Sequence, residues 1–106
     1  IVNFFLSIVE SCTYLNLEIQ AVVECSFDLI CACVNYNATD PIHKFFSILT
    51  AVTRLIPDTF QALAPLLASG ISVLIAEYNR TIAVIGCWDT IIEILQACLT
   101  VPHAMT

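Results

Sequence analysis

The sequence predicts an all-α protein: a single helical domain over 1–106, built as a disulfide-stapled bundle of five or six helices. Three observations point there. Apolar residues recur every three or four positions through most of the chain, the spacing of one helical face. Residues 1–36 contain neither Gly nor Pro. Six cysteines stand in a chain of 106 residues, a density that reads as a disulfide framework in a short chain.

The first third divides near Ser11-Cys12-Thr13 into helices over 2–11 and 14–35. Leu15, Leu17, Ile19 and Ala21 alternate with Asn16, Glu18 and Gln20 as a strand would. Helix is favoured because strands rarely exceed ten residues and this stretch runs far longer without a breaker. Asn35 to Pro41 is the first polar loop, and Asp40-Pro41 reads as an N-cap followed by proline at the first helical position. The third helix, 41–55, carries Ile42, Phe45, Phe46, Leu49, Val52 and Ile56 on one face, with His43, Lys44, Ser47 and Arg54 off it. Pro57 ends that helix or starts the next.

A fourth helix over 58–77 places Phe60, Leu63, Leu67 and Ile71 at helical spacing, with Pro65 expected to kink or divide it. Asn79-Arg80-Thr81 marks the next boundary. The fifth helix, 82–100, carries Val84, Trp88, Ile91, Leu95 and Cys98 on one side and Asp89, Glu93 and Gln96 on the other, and Pro102 stops it. No internal repeat or linker divides the chain.

Composition sets the functional question. Apolar residues make up 59% of the chain and charged residues 11%, against about 45–50% and about 25% in an ordinary globular domain. Several helices look apolar nearly all round, which suits a central buried helix, yet a five-helix domain has room for only one or two of those. The surplus must face a lipid, a cavity, another copy or a membrane. Nucleic acid is excluded as a partner: the net charge is −6, and Lys44, Arg54 and Arg80 are the whole basic supply. Thr59–Ala76 is free of charge for 18 residues, the lower bound for a membrane span. Pro65 and Gly70 interrupt it and acidic Asp58 and Glu77 flank it, so buried helices are the better reading.

Cys12, Cys25, Cys31, Cys33, Cys87 and Cys98 imply an oxidising compartment, and the sequons at Asn37 and Asn79 agree with secretion and glycosylation. The chain begins at Ile1 with no Met and no basic leader, as if a signal peptide had been removed or the chain were a piece of something longer. Cys87 and Cys98 are close to three turns apart and cannot bond each other along one intact helix. Each is therefore expected to reach the N-terminal third, Cys87 at the Cys31/Cys33 end and Cys98 at the Cys25/Cys12 end.

Candidates for chemistry are few. Asp89/Glu93 and Glu24/Asp28 have one-turn spacing, which solvated helix faces also have. His43 and His103 are the only histidines, and no metal-ligand spacing, nucleophile elbow or Gly-rich loop is present. Cys31-Ala32-Cys33 reads as two half-cystines. The expectation is a non-enzymatic protein with no metal and no cofactor.

Two readings of the apolar surplus follow. In the first, a secreted carrier binds a hydrophobic small molecule or lipid, of fatty-acid or sterol class, in an apolar cavity or oligomer interface lined by Phe45, Phe46, Leu49, Phe60, Leu63, Leu67, Trp88, Ile91 and Leu95. In the second, the surplus forms an obligate interface in a homo-oligomer that serves as a structural protein of a secretion. Phe60 to Leu99, with Gln61-Ala62-Leu63 and Ala68-Ser69, resembles the helical terminal domains of silk proteins in its apolar helix composition. That resemblance covers less than half of the chain and implies the second reading.

Overall fold

α3 is the hub of the bundle. In the computed structural model, which describes residues 2–12 and 16–99, five helices run in the order α1 (Val2–Glu10), α2 (Leu17–Asn35), α3 (Thr39–Val52), α4 (Pro57–Ile85) and α5 (Trp88–Leu99). α3 touches all four others; α2 also packs on α1 and α4, and α5 on α4. No strand occurs among the described residues. The expected helical class and helix count are therefore observed. The predicted start at Tyr14, the stop at Pro102, and His103 lie outside the described residues.

Each helix end has a local cause. Asn16 caps α2 by accepting a hydrogen bond from the Ile19 amide at 3.0 Å. α2 ends in a Schellman turn. Asn37, with a left-handed φ of 57°, donates its amide to Val34 O, and the Ala38 amide donates to Cys33 O. Asp40 is not the cap of α3. The helix starts at Thr39 with Ala38 in the capping position and no side-chain bond. Pro41 then falls third in the helix, still within the first turn, where its missing N–H costs nothing. Pro57 opens α4, and Gly86, at φ 83°, closes it.

The predicted face of α3 is the core: Ile42, Phe45, Phe46, Leu49 and Val52 are buried, together with Ile48. His43, Lys44, Ser47 and Arg54 are exposed, as expected. Ile56 lies beyond the helix and is 52% exposed. Phe60, Leu63, Leu67 and Ile71 of α4 are also buried, and so are Ile91, Ile94 and Cys98 of α5. Val84 was assigned to the last helix face, but it belongs to α4 and is 87% exposed.

α4 departs furthest from expectation. It neither divides at Pro65 nor ends at Asn79; it runs 29 residues and is distorted only at Tyr78, with φ −131° and ψ 24°. The distortion is a real bend. Cys98 Sγ lies 3.8 Å from the Ala64 carbonyl. Cys98 is about 16 Å along a helix from Cys87, whereas Ala64 would stand about 33 Å from Gly86 were α4 straight. Only a bend between Ala64 and Gly86 brings the two together. No proline or glycine lies within a turn of Tyr78; its half-buried ring sits where α4 meets Cys31 of α2.

α2 and α4 meet at Gly70. A Cβ built there would stand 2.5 Å from Cζ and 2.7 Å from Cδ2 of Phe27. The aromatic ring therefore occupies the space that any other side chain would need. Gly70→Ala is expected to lower unfolding free energy by about 1–3 kcal/mol through overpacking, measured by urea denaturation. The double variant Gly70→Ala/Phe27→Leu should lose less than the sum of its two parts. Strict additivity would contradict the contact.

Candidate functional site

The nine residues expected to line a ligand site are placed in the body of the core instead. Phe45, Phe46, Leu49, Phe60, Leu63, Leu67 and Ile91 are buried, and Trp88 and Leu95 are half-buried against the same cluster. They come together as the sequence implied, but around one another. None of them lines the three described grooves, all open to solvent. A groove of about 500 Å³ lies between α1 and α3, touching Val2, Leu6 and Lys44. A polar one of about 340 Å³ lies between α3 and α5, touching His43, Ser47, Thr50, Arg54, Thr90 and Glu93. A third, about 360 Å³, involves Val9, Cys12 and Leu55.

The chain has not swollen to house its apolar content. Its accessible surface is 6205 Å², close to the roughly 5,900 Å² expected of a compact 11.7 kDa monomer. Its radius of gyration is 13.1 Å, and about 13 Å is usual at this length. The surplus is therefore on the outside. Phe4, Leu17, Tyr36, Val73, Val84 and Leu99 are among the large apolar side chains left exposed.

These residues are spread over α1, α2, α4, α5 and the turns, and α4 is the longest of the helices that share in the exposure. Pro57–Val84 is long and apolar enough to cross a membrane by length and composition, yet only 39% of its most apolar window is buried by the bundle. Phe60, Leu63, Leu67, Ile71 and Leu74 face the core. On the opposite side Asp58, Ala62, Pro65, Ser69, Val73, Ala76 and Arg80 are all exposed. At 100° per residue the six from Asp58 to Ala76 fall within about 40° of Ser69, while Arg80 lies past the bend at Tyr78. Between Asp58 and Glu77 that outer face carries no charge.

The cysteines are arranged otherwise than the sequence implied. No disulfide is seen among Cys25, Cys31, Cys33, Cys87 and Cys98. α2 and α5 do not touch, with no Cα pair between them within 8 Å, beyond the roughly 7 Å that a bridge allows. Cys98 therefore cannot reach Cys25, Cys31 or Cys33. That half of the expected pairing is overturned, because α3 and α4 each pack on both α2 and α5 while those two do not touch. Cys98 meets the Ala64 carbonyl, and Cys87 Sγ stands 3.8 Å from His43 Nδ1.

The Cys87–His43 pair, 44 residues apart in sequence, was not foreseen. Its electrostatics run against nucleophilic use, because burial raises the Cys87 thiol above its ordinary range and disfavours the thiolate. Burial raises Cys98 and Cys33 likewise. Burial also raises Cys31, joined by the carboxylates of Glu77 and Asp28 and partly offset by a Tyr78 hydrogen bond. Asp89, Glu93, Glu24 and Asp28 are all exposed, as solvated helix faces are. Among the described residues no cluster of His, Cys, Asp and Glu could hold a metal. Asn37 and Asn79 are both exposed.

Comparison of the chain with family models, with curated proteins and with solved structures finds no match in any of the three.

Thiol reactivity checks this arrangement. In the reduced native protein the exposed Cys25 should alkylate first, and buried Cys87 and Cys98 last. Peptide-mapped labelling in which Cys98 keeps pace with Cys25 would contradict it. The raised thiols also couple folding to pH. The fold favours their protonated form, so their stabilisation is complete below the unfolded thiol pKa of about 8.5. It is lost as pH climbs through the higher folded values. The urea midpoint should therefore fall in alkaline buffer, and a midpoint that rises there would contradict the burial.

Proposed function

We propose that this chain is a secreted, non-enzymatic protein that associates with copies of itself and serves as a structural or assembly domain of a secretion. The observation that carries this reading is the set of large apolar side chains left exposed around the bundle, among them Phe4, Leu17, Val73, Val84, Ile92 and Leu99, together with the uncharged outer side of α4. A monomer that leaves such a helix face and further large apolar side chains in water gains by covering them. The acidic balance of −6 keeps the chain in solution until it assembles.

The carrier reading has less beneath it, because the nine side chains it relies on are committed to one another. An apolar ligand, if one is carried, sits between copies and not within one. Secretion, glycans on Asn37 and Asn79, and disulfides formed in an oxidising compartment belong to the same proposal. The exposure of both asparagines and of Cys25 supports it. Asn37 stands exposed in the left-handed turn that ends α2.

Native mass spectrometry across a concentration series separates the two readings. Self-association predicts multimers without small-molecule mass, growing with concentration. A monomer that keeps an apolar adduct at every concentration would replace this reading with the carrier. Protein harvested from medium should lose mass on enzymatic removal of N-glycans; a chain retained in the cytosol with six reduced thiols would contradict secretion.

A further inference from the structure

α3 separates α1 from α5: it packs on both, and those two do not touch. Two of the described grooves follow each other along the α1–α3 seam. The first lies against Val2, Leu6, Lys44 and Ser47, and the second against Val9, Arg54, Leu55 and Ile56. Ser47 also borders the groove between α3 and α5, so both seams open on one side of the bundle.

The two walls of the α1–α3 seam differ. α1 supplies Val2, Leu6 and Val9, while α3 and its end supply Lys44 and Arg54, two of the three basic residues in the chain. α5 has the matching split. Its only charges are the acids Asp89 and Glu93, and it holds out Ile92 and Leu99, 47% and 62% exposed. At 100° per residue Ile92 and Leu99 lie within about 20° of each other, with Asp89 about 60° and Glu93 about 100° to one side of Ile92. That side is turned towards α3, because Glu93 lines the α3–α5 groove.

We infer that two copies of this chain pair about a two-fold axis running along α3, each laying its α5 in the α1–α3 seam of the other. This rests on the self-association reading and gives it a surface and a register. The two-fold turns the acidic side of α5 towards α3 of the other copy, and turns Ile92 and Leu99 towards its α1. Acid then meets base and aliphatic meets aliphatic.

The register follows from the chain itself, because an axis along the helices leaves every residue at its own level. Cys87 Sγ stands 3.8 Å from His43 Nδ1. From that point α3 and α5 run the same way along their shared groove. Counted from it at about 1.5 Å per residue, Asp89 falls beside Lys44, Ile92 beside Ser47 and Leu99 beside Leu55. Each groove of the seam thus receives one aliphatic side chain, and exposed Ile56 is covered with them.

Charge selects this axis. A two-fold running across the helices would lay α5 on α5 and set Asp89 and Glu93 against the same acids. Val84 of α4 is more exposed than either aliphatic of α5, but it stands one turn from Arg80, a like charge to Lys44. A bilayer fits this side less well, since it would take the charges of α3 and α5 out of water.

The test uses the full chain with Cys25→Ser as background, so that the exposed native thiol is silent. Leu6→Cys and Ile92→Cys, mixed and mildly oxidised, should form a covalent dimer between the two variants, and neither should form one alone. Lys44→Glu and Asp89→Lys should each raise the dimer dissociation constant by roughly threefold to tenfold. The exchange Lys44→Glu/Asp89→Lys should restore it, and Val73→Glu on α4 should leave it unchanged. Circular dichroism melts confirm that each variant is folded.

A dimer that persists while the mixed variants stay uncrosslinked and the charge reversals have no effect would overturn this pairing and leave self-association standing. A chain that remains monomeric at every concentration would overturn both. Monomers that bind neutral phosphatidylcholine vesicles, with Ile92→Cys protected from a water-soluble thiol reagent, would assign α5 to lipid and overturn the pairing.

Discussion

Interior volume is the constraint from which the rest of this structure follows. A bundle of five helices in 106 residues can surround only one layer of side chains completely, and α3 takes that place. Its phenylalanines and aliphatics are covered by all four neighbours. Once α3 is central, every other helix has a side turned outward, whatever its composition. Leu17, Val84 and Leu99 are exposed because no interior position remains for them. The chain meets the limit without swelling and leaves oil on its surface.

α4 meets this limit in its own way. At 29 residues it is longer than the bundle it serves, so it is held by a close approach and shortened by a bend. Gly70 lets the Phe27 ring of α2 lie directly on its backbone, drawing α2 and α4 together. The turn at Tyr78 then brings the chain around, so that α5, only 12 residues long, can reach back to Ala64. Both features fix the inner face of α4 through core contacts. The outer face is left straight, exposed and uncharged from Thr59 to Ala76.

Much of this was legible in the sequence. The 3.6-residue spacing found α3 and the inner face of α4 residue by residue, because burial on one side of a helix is written in every turn. Leu17 shows why the strand alternative failed: about five turns of unbroken chain follow it, and the Asn16 cap commits them to helix. Cap assignments were less secure. Asp40 looked like a better cap than Ala38, but the Schellman turn at Asn37 redirects the chain so early that the helix begins two residues sooner. The bend at Tyr78 had no breaker to announce it, and Pro65, which did announce one, was absorbed.

The candidate site was legible in kind and not in place. Composition showed that apolar surface exceeded the interior, while periodicity pointed to the side chains that fill the core, among them Phe45, Leu49 and Leu67. Those are the residues least available to a ligand. The face that remains available is made of Ala62, Pro65, Ser69, Val73 and Ala76, none of which stands out in a hydrophobic pattern. The Cys98 pairing failed for a topological reason: spacing along the chain could not reveal that α2 and α5 would not touch.

The most direct measurement is sedimentation velocity of the folded, reduced chain from low-micromolar to near-millimolar concentration. The account predicts a sedimentation coefficient that rises with concentration from the value of a compact 11.7 kDa monomer towards that of its dimer. A coefficient that stays at the monomer value throughout, in a chain that remains folded and soluble, would show that water tolerates the bare face of α4 and would contradict the account.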